Sequence, residues 1–478
     1  MTTTLLTFKE NLKPQQLFAH FSDQPWAFWL DSCDSEHQDC QVDIMVFQPT
    51  ITLTTTAKNT VINHFDQHQK LIKTQISTDD PLSLVDHYRQ QVFAQYQLPA
   101  RQLLEQSLEQ PLPFIGGALG YFAYDLGRQF EVLPDTAKQD IDLPDMAIGI
   151  YQQAIIYNHK NQQYWLVCPS NIQATLTEFI DNLVQSPLLP KAAFNISNAW
   201  QSNIDKKAYQ KKFKQVQHYL LSGDCYQINL AQRFMAQYQG NEFQAYLALR
   251  AANNAPFSAF MRFKNSVILS VSPERFLKVN QQGKVQSKPI KGTRPRSNSP
   301  QLDKKYANEL KNAVKDQAEN LMIVDLLRND LSKTCVAGSV KVPKLFDIES
   351  FPAVHHLVST VEGVLSADKN ASDLLRGAFP GGSITGAPKI RAMEIIEQLE
   401  PHKRSVYCGS IGYISACGNM DTSITIRTLV CKPEVENTNK IYCWAGGGLV
   451  ADSEVASEYQ ETFDKVNKIL PVLADLNG

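Results

Sequence analysis

Lys291 stands in the run Pro289-Ile290-Lys291-Gly292-Thr293, between an apolar strand-like stretch and a polar loop. A lysine in an apolar turn loses hydration, which disfavours its charged form and lowers its pKa. Part of the amine is then neutral and nucleophilic near neutral pH. A solvated loop lysine is the ordinary alternative, and Lys291 alone does not choose between them. Two carboxylate pairs bear on the choice. Asp316 and Glu319 lie three apart, as do Glu458 and Glu461, with Lys465 four residues beyond the latter. That spacing puts both side chains of a pair on one helical face. Two such faces brought together can hold Mg²⁺, which takes a few carboxylates and keeps positions for water and substrate. Taken singly, each pair reads equally well as a solvated helix face.

Other groups suit a small anionic ligand. Pro380-Gly381-Gly382-Ser383-Ile384-Thr385-Gly386-Ala387-Pro388-Lys389 runs into a helix, and small residues there let backbone amides approach an anion. It is not a P-loop, which needs Lys then Ser or Thr straight after the last glycine. Gly446-Gly447-Gly448 reads as a second glycine-rich loop of the same kind. Glu274 in Ser-Pro-Glu-Arg-Phe is a candidate general acid, and His356 in Val-His-His-Leu-Val a candidate proton donor. Arg427 continues the alternation of Ser423 and Thr425, so it shares their face and can clamp a carboxylate. Each has a structural polar role as its plain alternative. Together they suggest a Mg²⁺-dependent site for a small carboxylate substrate, worked by an amine and an acid.

The elements that must position these groups fall into two regions. Ser186-Pro187-Leu188-Leu189-Pro190 and the polar stretch to Asn203 read as a linker, dividing the chain into 1–190 and 200–478. Before it come short alternating runs such as Val42–Phe47 and the glycine-rich Phe114–Phe122. After it, the pattern predicts an amphipathic helix from Lys206 to Ser222, ending at Gly223, and one of about thirty residues from Asp303 to Lys333. Pro388 suits the first position of a helix through Leu399, and Asp452 or Ser453 suits the cap of a last helix reaching Ala474. Strands are expected at Ser405–Ser415, Ser423–Lys432 and Ile441–Trp444. Interspersed helices and antiparallel strands make the fold class α+β.

Composition agrees with a globular enzyme and excludes several classes. The 478 residues carry 46 Lys and Arg against 48 Asp and Glu, and the net charge of −2 gives no basis for binding nucleic acid or an acidic membrane. No apolar run approaches the ~18 residues of a membrane helix, and the start resembles no secretory leader. The nine scattered cysteines form no CxxC pair, so we expect reduced thiols in a cytoplasmic protein and no zinc site.

From about Asn203 onward the chain also resembles a known family, the chorismate-utilising enzymes. The stretches that carry the resemblance are Gly223–Asn229, Ser272–Phe276, Lys288–Thr293, Ala318–Asn320 through Leu331, Gly381–Lys389, Gly409–Tyr413, Ala445–Gly448 and Glu458–Thr462. The resemblance implies the α+β fold of the anthranilate and aminodeoxychorismate synthases, with two packed antiparallel β-sheets flanked by helices. Residues 1–190 would then be the accompanying N-terminal region. It implies that Glu319, Glu458 and Glu461 hold Mg²⁺, with Asp316 as a further direct or outer ligand. Arg427, Tyr413, Lys465 and the Gly446–Gly448 amides would hold the enolpyruvyl carboxylate, Ser383 would lie beside the ring, and His356 would position substrate. Lysine at 291, where anthranilate synthases carry alanine, marks the members that form aminodeoxychorismate. Gln227 stands where the water-adding members carry a lysine, which favours ammonia as nucleophile. The implied reaction is covalent, with Lys291 adding to ring carbon 2 and Glu274 protonating the departing 4-hydroxyl. Anthranilate synthase component I remains the alternative. No Gly-x-Cys-x-Gly nucleophile elbow is present, so ammonia would come from a separate glutamine amidotransferase subunit. Tryptophan can occupy the N-terminal region in this family. Here the matching motif, Trp29-Leu30-Asp31-Ser32, departs from Leu-Leu-Glu-Ser at two positions.

Overall fold

Val267–Ser272 is buried at every residue, because sheet partners flank both its edges and packed side chains cover both its faces. It lies in the middle of the first of two large sheets seen in the computed structural model, which describes residues 1–8, 12–33, 37–98, 112–351, 354–433 and 439–477. The main path of that sheet runs through Thr2–Leu6, Gln163–Cys168, Ala154–Asn158, Val42–Val46, Phe28–Asp31, Phe257–Arg262, Val267–Ser272, Thr428–Lys432, Lys440–Leu449, Gln227–Gln239 and Asn195–Ile196. The second begins at Ile290–Pro295 and continues through Val354–Val364, Lys284–Ser287, Arg275–Val279, Met420–Ile424, Ser410–Ser415, Gly117–Phe122 and Met146–Tyr151. It ends with Ile51–Thr56, Asn59–Phe65 and Leu71–Ser77.

The large core lies between the sheets, where Phe28, Ile44 and Met261 of the first meet Leu119, Leu277 and Ile411 of the second. A second cluster packs helices such as Glu242–Asn253 on the outer face of the first sheet, and a third seats Lys206–Leu221 and Lys389–Leu399 beside it. The α+β architecture of two packed antiparallel sheets with flanking helices is therefore present. The break at 190–200 divides the sequence but not the sheets. Phe28–Asp31 pairs with Phe257–Arg262, and Gly117–Phe122 pairs with Ser410–Ser415.

Several elements differ from the sequence expectation. The long helix is two, Pro300–Lys311 and Val314–Ser332, broken at Asn312 and Ala313. The last helix is Val455–Asp464, followed by the separate Leu470–Ala474. Ser453 does not cap it; its hydroxyl donates to Glu458 instead, at 2.6 Å. Pro388 is the cap residue of Lys389–Leu399 rather than its first residue. The expected strand Ser423–Lys432 is two, because the chain leaves one sheet after Ile424 and joins the other at Thr428.

Candidate active site

Two crossings between the sheets build the floor of the site. Glu274 lies between Val267–Ser272 of the first sheet and Arg275–Val279 of the second. Arg427 lies on the parallel crossing after Ile424, with a left-handed φ of 51°, so it stands at a corner and does not continue the strand face of Ser423. The crossings are bonded together: Ile424 N–H donates to Glu274 O at 3.0 Å, and Val271 N–H to Arg427 O at 3.1 Å.

Lys291 belongs to the edge strand Ile290–Pro295 rather than to a loop. Its register with Val354–Val364 shifts between Lys291 and Thr293, and the extra residue is Gly292, at φ +77°. Such a bulge re-aims the side chain beside it. Lys291 points inward, with 14 % of its side chain exposed and Nζ 3.8 Å from Glu319 Oε2. Burial lowers its pKa, opposed chiefly by Glu319 and helped by Lys465. Across from it, Glu274 is 5 % exposed and accepts a 2.9 Å hydrogen bond from the Ser383 hydroxyl. Burial pushes this carboxyl up to about 7, against the opposing pull of Ser383 and Lys291. Burial thus shifts the lysine toward its neutral amine and the carboxyl toward its protonated form.

Gly446, Gly447 and Gly448 lie within the strand Lys440–Leu449, not in a loop. What they supply is space. A Cβ on Gly447 would meet Glu458 Oε2 at 3.2 Å and Glu461 Oε1 at 3.4 Å. A Cβ on Gly448 would meet the amide of Gln227, whose Nε2 and Oε1 are buried without a hydrogen-bond partner. Lys465 donates to Gly446 O at 2.8 Å and pairs with Glu461 at 2.5 Å.

The helices Val314–Ser332 and Val455–Asp464 do converge, since Glu319 feels the charge of Glu461 and both feel Lys291. Burial raises the pKa of Glu319 and of Glu458, while for Glu461 burial is outweighed by Lys465, Lys291 and Lys315 together, which lower it. The two glutamates over Gly447, with Glu319 near enough to feel the charge of Glu461, are the carboxylates that could hold an ion keeping part of its water shell. Asp316 fits less well as a direct ligand, because it is bonded to Arg294 at 3.1 Å and packs where a Cβ on Gly292 would fall.

His356 shares a 2.9 Å hydrogen bond with Thr293 and is 3 % exposed. Burial and the nearby Arg427 push its pKa down to about 4, so it is neutral near pH 7 and is not poised as a cationic proton donor. Tyr413 is also misplaced by the sequence reading. It lines a separate cavity of about 1590 Å³ with Leu30, Ser32, Asp39, Arg275 and Asp421, against the Phe114 ring. Lys291, Glu274, Ser383 and Arg427 do not line that cavity. His37, Asp39 and Glu349 bring ligand-type atoms within 4.8 Å of one another there, but Lys288 bonds Glu349 at 2.6 Å and Arg275 bonds Asp39 at 2.7 Å. These cations already balance the acids.

Sequence reasoning missed Lys315, whose charge acts on Glu319, Glu458 and Glu461. Its spacing of four from Glu319 was the available signal.

The chain is similar in sequence and fold to known proteins. The family model described as chorismate binding enzyme matches residues 27–471. The chain is 52% identical over 456 residues to aminodeoxychorismate synthase component 1 of Escherichia coli (strain K12), covering 95% of each chain. It is 31% identical to anthranilate synthase component 1 of Acetivibrio thermocellus, covering 99% of this chain and 95% of that one. The crystal structure of anthranilate synthase component I from Streptococcus pneumoniae TIGR4 superposes with a TM-score of 0.77 at 28% identity, covering 97% of this chain and 98% of that one. With the family model matching residues 27–471 and a relative 52% identical over 95% of the chain, the chain belongs to the chorismate binding enzyme family.

Proposed function

We propose that the chain is the chorismate-aminating component of an aminodeoxychorismate synthase, joining ammonia to chorismate to give 4-amino-4-deoxychorismate. The observation that carries this reading is Lys291, a desolvated amine facing a carboxyl that keeps its proton up to about pH 7. Neutral Lys291 adds to ring carbon 2, both conjugated ring double bonds shift toward carbon 4, and the 4-hydroxyl leaves as water with the proton of Glu274. Ammonia then attacks carbon 4, both ring double bonds return to their first positions, and Lys291 leaves as the neutral amine while the new ammonium passes a proton back to Glu274. Splitting one poor displacement into two is what a positioned nucleophile supplies.

Glu319, Glu458 and Glu461 would hold Mg²⁺, which when bound neutralises the ring carboxylate. Arg427, which among the described residues has no side-chain hydrogen bond or ion pair, is available to the enolpyruvyl carboxylate. Gln227 offers an unpaired amide carbonyl where ammonia must arrive. A separate glutamine amidotransferase subunit is the ammonia source in this reading, and the cytoplasm its setting. No described helix is long and apolar enough to cross a membrane. Tryptophan is assigned to the second cavity, which Leu30, Asp31 and Ser32 of the divergent N-terminal motif line.

The test is a product assay with chorismate, Mg²⁺ and ammonium. A product that keeps the enolpyruvyl group and exchanges hydroxyl for amine supports the reading. Anthranilate with pyruvate would favour the anthranilate synthase alternative. Lys291→Ala should abolish amination; full retention would remove the covalent step.

A further inference from the structure

Ser383 reaches Glu274 from the middle of a run, Phe379 to Pro388, with little regular structure of its own. It holds one 3-10 turn, Gly382–Ile384, and a two-residue pairing of Gly386–Ala387 with Gln227–Gln239. Main-chain carbonyls buried in such a run need donors. On one side, Lys389 donates to Ala378 O, the last carbonyl of the helix Ala371–Ala378 that leads into the run, at 2.7 Å and to Asp330 at 2.6 Å. Asp330, whose side chain is 1 % exposed, also accepts from Lys333 at 2.9 Å. On the other side, Arg404 donates to Ile384 O and to Asn229 O, each at 2.9 Å. Its partner Glu400 takes two further bonds from it, at 2.9 and 2.7 Å, and accepts the Ala231 amide at 2.9 Å.

Buried ion pairs add little net stability over well-packed apolar residues, so stability alone is a poor account of two of them here. Their shared geometric effect is specific. Each cation seizes a main-chain carbonyl on one flank of Ser383 and ties it to a fixed element, the Val314–Ser332 helix or the Gln227–Gln239 strand.

We infer that Lys389 and Arg404 are positioning residues, which with Asp330 and Glu400 hold the chain on both sides of Ser383 so that its hydroxyl stays aimed at Glu274. This rests on the reading of Glu274 as the acid. The hydroxyl favours the carboxylate form, so releasing it moves the Glu274 pKa upward. The other charged or titratable groups facing Glu274 are Lys291, Lys465, Arg427 and Cys408; of these Cys408 also faces Arg404, whose positive charge Arg404→Lys keeps.

The experiment is a set of pH profiles and a double-mutant cycle on the ammonia-dependent reaction. Lys389→Met, Asp330→Asn and Arg404→Lys should lower kcat about tenfold, leave KM for chorismate within about twofold, and move the alkaline limb upward as Ser383→Ala does. In a Ser383→Ala background, Lys389→Met should cost nothing further, because its effect passes through the missing hydroxyl. Lys389→Arg, which can still reach both acceptors, should restore most of the activity. Losses that multiply in the double variant would overturn the inference, as would a limb that stays in place while Glu274→Gln removes it. If Glu274→Gln leaves the limb intact, the acid assignment fails, and the cycle with Ser383 still decides whether the clamp acts. Should Lys389→Met fail to fold, Asp330→Asn enters the same cycle.

Discussion

Gly448 faces Lys291 so closely that a Cβ on it would lie 3.2 Å from Lys291 Nζ and 2.7 Å from Gln227 Nε2. The amine and the amide share a space that exists only because residue 448 has no side chain. Gly448→Ala should therefore displace one or both while leaving the strand paired, since alanine is tolerated in extended backbone. A misplacement of about 1 Å costs on the order of 100-fold in turnover. Steady-state kinetics should show that loss with a melting temperature close to wild type. Unchanged turnover would mean that Lys291 works from another rotamer.

The carboxylates of Glu319, Glu458 and Glu461 predict a metal dependence that can be read without turnover. Glu319 and Glu461 both act on Lys291, and Glu458 and Glu461 converge over Gly447. Removing divalent ions with a chelator should abolish amination, and Mg²⁺ should restore it. Glu461→Gln should weaken Mg²⁺ binding by calorimetry at least about tenfold, because a hard cation loses a charged oxygen. Asp316→Asn should change it far less, since Asp316 is bonded to Arg294. Equal losses for the two variants would return Asp316 to the ligand set.

How much of this was legible follows the range of each signal. Lys291, Glu274 and the glutamates at spacings of three were readable because helix faces and short motifs are local. That Glu274 and Arg427 occupy adjacent sheet crossings was not, because nothing local tells one long strand from two that belong to different sheets. The glycines at 446–448 advertised small size correctly, but the alternation that marks a strand is silent where there are no side chains. Tyr413 was carried to the wrong pocket because neighbours along a strand point to opposite faces. The interleaving of residues 28–31 with 257–262 depends on pairing across almost half the chain, which no window reads.

The second cavity gives a separate prediction. Tyr413, Ser32 and Asp39 line it, and Lys291, Glu274, Ser383 and Arg427 do not. Mass spectrometry of small molecules released by acid from the purified protein should find tryptophan, or calorimetry should register its binding to the empty protein. Tyr413→Ala should remove that binding and leave KM for chorismate within about twofold, because the two sites share no lining residue among the named catalytic groups. A large rise in KM would restore Tyr413 to the substrate site.

Glu274 links activity to stability in opposite directions. Its pKa rises from 4.5 unfolded to about 7 folded, mainly through burial. Between those values the folded state holds a proton that the unfolded state has released, so stability is highest below the unfolded value and falls as pH rises toward 7. At 1.36 kcal/mol per unit the loss is on the order of 3 kcal/mol by pH 8. Glu274→Gln keeps the shape and removes the titration. It should therefore melt higher than wild type at pH 8, with the gain shrinking toward pH 5, while amination falls by at least about 100-fold for want of a proton donor. In the wild type the same group should set an alkaline limb in kcat/KM near pH 7. A variant whose stability gain is the same at pH 5 and pH 8 would show that Glu274 is ionised in the fold, and the acid role would fall with it.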